Sequence, residues 1–70
     1  MAVGKVEWFR GSFGFIKPDD GGVDVFVHWR GIDGPTHEHK RLHAGDRVEY
    51  DVEIGADTGK PIAVGVRRIG

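Results

Sequence analysis

Apolar and polar positions alternate over short stretches of the chain, and no window of about eleven residues sustains a helical period. Five strand-like segments separated by turn residues predict an all-β sandwich or barrel. The first runs from Gly4 to Phe9, with Val6 and Trp8 on one parity and Lys5, Glu7 and Phe9 on the other. Arg10-Gly11-Ser12 connects it tightly to a second strand, Phe13 to Lys17. There Phe13, Phe15 and Lys17 share one face, and Gly14 and Ile16 the other. Pro18-Asp19-Asp20-Gly21-Gly22 is a turn signal. The third strand, Val23 to Trp29, sets Asp24, Phe26 and His28 against Val25 and Val27. A fourth, Asp46 to Ile54, has the cleanest alternation: Val48, Tyr50, Val52 and Ile54 are expected inside, and Arg47, Glu49, Asp51 and Glu53 outside. Ala56-Asp57-Thr58-Gly59 turns the chain into a fifth strand, Pro61 to Ile69. The stretch from Arg30 to Ala44 is irregular, with at most one helical turn near Arg30–Asp33.

One face of the second and third strands must line the core. Aliphatic Ile16, Val25 and Val27 pair naturally with Val48, Val52, Ile54, Val64 and Val66, which pushes Phe13, Phe15 and Phe26 outward beside Lys17 and His28. Periodicity alone leaves the reverse assignment open, with the phenylalanines inside. The parity of Phe9, out of phase with Trp8, leaves its side open, with the barrel's edge as one place for it. Six of the seven aromatics (Trp8, Phe9, Phe13, Phe15, Phe26 and Trp29) fall in the first 29 residues, a bias that an evenly drawn core does not explain. Exposed aromatics on a sheet need a reason. Single-stranded nucleic acid supplies one, because stacking on Phe, Trp or His contributes roughly 1–3 kcal/mol per base and tolerates any sequence.

Seventy residues make one domain, residues 1–70. Ten Lys plus Arg against eleven Asp plus Glu give a net charge of −1, which argues against nucleic-acid binding by bulk charge. Stacking must then carry the affinity, helped by a few local cations. The absence of cysteine excludes disulfides and thiolate metal sites. No apolar run is long enough for a signal peptide or a membrane span, so a cytoplasmic protein without membrane partners is expected. His37, His39 and His43 read as part of a solvated polar loop rather than a metal site, with His39 available to a base or phosphate. Asp19, Asp20 and Asp24 read as turn chemistry, and Ser12 has no base near it in sequence. No enzyme activity, cofactor, metal or small-molecule substrate is therefore expected.

Several ordered motifs resemble the cold-shock domain family. Gly4-Lys5-Val6-Glu7-Trp8-Phe9 opens the match. Phe13-Gly14-Phe15-Ile16 is similar to the family's first ribonucleoprotein motif and Val25-Phe26-Val27-His28 to its second. Asp19-Asp20-Gly21-Gly22, Leu42 to Tyr50 and Pro61 to Val66 continue it over nearly the whole chain. The resemblance implies a five-stranded antiparallel Greek-key β-barrel of the OB type, and a monomer is expected. It also implies binding of single-stranded RNA or DNA with low sequence specificity, often as an RNA chaperone. The positions matching the family's stacking residues are Trp8, Phe13, Phe15, Phe26, His28 and Trp29, with Lys5, Lys17, Arg10, Arg30, His39 and Lys40 as phosphate or peripheral contacts.

Three departures from the family pattern are expected to weaken binding. Only Arg10, Gly11 and Ser12 separate Phe9 from Phe13, where the family has a longer loop ending in Lys-Gly. Glu7 stands where the family often has Lys, and His39 where an aromatic is expected before Lys40. The alternative reading is a protein-interaction module that uses the same apolar patch and has lost nucleic-acid binding.

Overall fold

The computed structural model describes residues 1–34 and 40–70; the readings for His37 and His39 lie outside them. Five strands, β1 (Ala2–Arg10), β2 (Phe13–Pro18), β3 (Val25–His28), β4 (Arg47–Ile54) and β5 (Pro61–Arg68), close into a barrel in the order β1-β2-β3-β5-β4. A single turn of 3-10 helix, Trp29–Gly31, follows β3 at the place expected for one. β1, β2 and β3 form a meander, and β4 returns to pair with the free side of β1 in the Greek-key manner. Four pairings are antiparallel, but the closing one, β3 with β5, is parallel. A ring of five strands requires this, because directions cannot alternate all the way round an odd number.

Arg10 pairs with Phe13, so the β1–β2 hairpin has a two-residue loop, Gly11-Ser12. Gly11 takes a φ of 59°, the left-handed region that a glycine at the first loop position of such a hairpin provides. Val6 pairs with Ile16 but Trp8 with Phe15, so Glu7 is an extra residue bulged out of β1. This corrects the simple alternation. Val6 is buried while Trp8 is exposed, and Phe9 turns inward to pack against the core opposite Gly14.

The second irregularity lies between β4 and β5. Glu49 pairs with Arg67 and Asp51 with Val64, which leaves an extra residue on β5 beside Gly65, whose φ is +61°. Ala63 and Val66, three apart, are therefore both buried, and Val64 is only half-buried instead of core. Two other expected core residues are also outside: Val52 is 46% exposed and Ile54 66%. β1 stops pairing with β4 at Ala2↔Tyr50, so among the described strands the last four residues of β4 pair with β5 alone and remain exposed. The core is instead Val6, Ile16, Val25, Val27, Ile32, Leu42, Val48, Tyr50, Ala63 and Val66. Burial, then the charges of Asp20 and Asp19, raise the Tyr50 phenol above its usual value of 10.0, which keeps it neutral inside the barrel.

Candidate nucleic-acid interface

The outer face of β1, β2 and β3 is built in register rows. Arg10, Phe13 and His28 form one row, and Trp8, Phe15 and Phe26 the next. The aliphatic partners of these residues, Ile16, Val25 and Val27, fill the core, so the rings have only the outer side available. Trp8 is 36% exposed and Phe13 41%, while Phe15, Phe26, His28 and Trp29 are half-buried.

Four of the rings close into a square. Trp8 lies 5.6 Å from Phe13 and 5.5 Å from Phe15, and Phe26 lies 5.9 Å from Phe13 and 5.8 Å from Phe15. The Phe13–Phe26 side is stacked at 27° and the others are tilted or edge-on. These spacings are within the range of favourable aromatic pairs, so the rings brace one another and hold a fixed surface. The Glu7 bulge is what brings Trp8 onto this face. Gly14 permits it: a Cβ there lies 2.1 Å from the Trp8 carbonyl oxygen and 2.8 Å from the Phe9 Cα, leaving no room for any other side chain.

His28 and Trp29 form a second ring pair, 5.7 Å apart. Nδ1 of His28 accepts a hydrogen bond from the Arg30 amide at 3.2 Å and caps the 3-10 turn, which leaves Nε2 to carry the proton of the neutral ring. Trp29 also packs partly against the core.

Cations border both ring groups. The Arg10 guanidinium is 5.9 Å from the centre of the Trp8 ring, and Arg30 and the Lys40 ammonium are 5.7 and 5.6 Å from that of Trp29. Arg10 thus stands beside the platform despite the short loop. Lys5 and Lys17 pair with each other one row beyond Trp8 and Phe15, away from the rings. His39 falls outside the described residues. Between Lys17 and the rings sits Glu7, whose carboxyl is raised above its usual value of 4.5, chiefly by a hydrogen bond shared with Asp24. Among the described residues no three His, Asp or Glu side chains are grouped to hold a metal ion.

Sequence reasoning missed one border of the platform. A cleft beside Phe15 and Phe26 is completed by Thr58, Lys60, Pro61 and Ile62 from the β4–β5 turn and the start of β5. Phe26 pairs with Ile62 across the parallel closure, a contact between distant segments that no local pattern announces.

The sequence model of the 'Cold-shock' DNA-binding domain matches residues 2–69. The chain belongs to the cold-shock domain family. It is 48% identical over 67 residues to Glycine-rich protein 2 of Nicotiana sylvestris, covering 93% of this chain and 30% of that protein. It is 45% identical over 67 residues to Cold shock protein 1 of Arabidopsis thaliana, covering 93% of this chain and 21% of that one. Probable cold shock protein A of Mycolicibacterium smegmatis is 42% identical over 71 residues, with 99% of this chain and 100% of that protein covered. This cold-shock domain thus spans less than a third of the two plant relatives and the full length of the mycobacterial one. The family is a nucleic-acid-binding one.

Proposed function

We propose that this cold-shock domain binds single-stranded RNA or DNA, with low sequence specificity, by stacking bases on Trp8, Phe13, Phe15, Phe26, His28 and Trp29. The observation that carries the reading is the four-ring square on the outer face of a barrel whose core is already filled by aliphatic residues and Tyr50. Bases offer π-faces to such a surface only when unpaired, so a duplex must open before it can engage. That preference underlies an RNA-chaperone role, in which weak secondary structure is trapped in its melted form. Arg10, Arg30 and Lys40 lie beside the rings and meet the phosphates that flank stacked bases. The role is binding rather than catalysis, and the domain acts as a monomer.

Phe15 touches both Trp8 and Phe26, so Phe15→Ala opens the square without creating a cavity in the barrel. The variant is expected to keep its cooperative urea transition and to lose about tenfold in affinity for a short pyrimidine strand, the lower part of the stacking range for one base. A variant that unfolds while binding per folded molecule survives would place Phe15 in the core and end this reading.

A further inference from the structure

The ring platform does not use Arg47, yet Arg47 belongs to a row of cations that crosses three strands. Lys5 is paired on both sides, with Lys17 on β2 and with Arg47 on β4, and all three side chains are exposed on the outer face. Neighbouring strands lie about 4.8 Å apart, so the row puts three positive charges across about 10 Å of sheet. Like charges directly opposite one another destabilise a sheet. Arg47 alone is neutralised, by a two-pronged contact with Asp19 whose shorter arm is 2.7 Å. Lys5 and Lys17 make no ion pair within 4.0 Å among the described residues. The three side chains line one cleft together with Glu7, Pro18 and Asp19. Asp19 is engaged by Arg47, while Glu7, at the platform end of the cleft, feels the Lys17 charge and limits what the row offers a phosphate.

We propose that the Lys17–Lys5–Arg47 row is a second, purely electrostatic subsite that takes the sugar-phosphate backbone of a strand after it leaves the ring platform. The inference rests on the stacking reading above and extends it. The row begins two register steps past Trp8 and Phe15, beyond the inward-facing Val6–Ile16 pair, and turns the path across β1 toward β4. It offers no ring, so it adds affinity without base preference and acts only on strands long enough to reach it. Sites on folds of this kind run from about 4 to 16 nucleotides, which leaves room for such an extension.

The test compares a pyrimidine strand of about four nucleotides with one of about ten, followed by tryptophan quenching over a range of salt concentrations. For the parent protein, log affinity is expected to fall more steeply with log salt for the longer strand, by about 0.7 for each added phosphate contact. Arg47→Gln is expected to lower the longer strand's slope by about 0.7 and to leave the short strand unchanged. Asp19→Asn, which releases Arg47 from its counter-ion, is expected to tighten the longer strand alone, and it keeps the test open if Arg47→Gln folds poorly. Equal slopes for the two lengths in the parent would overturn the subsite while leaving the platform standing. So would equal losses for both lengths in Arg47→Gln. Absence of quenching by either strand would overturn the stacking reading itself, and the subsite with it.

Discussion

Glu7 is the residue at which this cold-shock domain departs furthest from what a phosphate-binding face requires. Its carboxyl is held above the ordinary 4.5, first by the hydrogen bond with Asp24, then by desolvation and the Asp24 charge, while Lys17 pulls it down. The folded chain therefore holds this proton more tightly than the unfolded chain does. The pair's contribution to stability is fully present below pH 4.5 and is lost as pH rises through the higher folded-state value. Urea midpoints of the parent are thus expected to fall relative to Glu7→Gln as pH rises across that window. Binding follows the same titration, because the deprotonated pair repels phosphate. Glu7→Gln is expected to bind single strands several-fold more tightly near neutral pH, with the gap closing as pH falls toward 4.5. Parallel pH profiles for the two proteins would contradict this account of the pair. Glu7 was legible in the sequence as a misplaced negative charge. Its partner was not, since Asp24 comes alongside only when β2 and β3 pair.

The strands themselves were readable from alternation and turn residues, to within about two residues at most ends. What alternation could not show were the points where its period breaks. Strict parity puts Trp8 with Val6 and Val64 with Val66, and in each case a bulge separates the two residues. Only the motif resemblance placed Trp8 on the outer face. Val52 and Ile54 carry a correct core pattern on a strand that outruns its neighbour, so their exposure depends on the length of β1 and not on their own sequence. Gly14 is the element-scale hinge of the platform, because it lets β1 approach close enough to turn Phe9 in and Trp8 out. Gly14→Ala forces a Cβ against the Trp8 carbonyl, and overpacking of this kind is expected to destabilise by about 3 kcal/mol. Chemical denaturation reads that loss directly. An alanine variant with unchanged midpoint and unchanged strand affinity would remove Gly14 from this role.

Across the whole molecule, charge is sorted even though its sum is only −1. The outer face of β4 carries Glu49, Asp51 and Glu53, where Arg67 engages Glu49 and the N-terminal amine lies 3.9 Å from Asp51. Of the remaining cations, Arg10, Arg30 and Lys40 flank the rings, and Lys17, Lys5 and Arg47 form the row, an arrangement that favours approach of a polyanion from this side. On the proposed reading, so small a net charge leaves stacking to supply most of the affinity for single strands and phosphate contacts the remainder. The fold class and the ring face were both legible in the sequence, whereas the β5 border of the platform and the cation row were not, because strand pairing between distant segments creates them. The central claim is that unpaired bases stack on this face, and both tryptophans, Trp8 and Trp29, lie on it as reporters. The most direct measurement is therefore tryptophan fluorescence during titration with a short pyrimidine single strand and, separately, a duplex of equal length at low and moderate salt. Saturable quenching by the single strand alone, weakening with salt, is the predicted result. Quenching by neither, or by the duplex equally well, would contradict a platform built for unpaired bases.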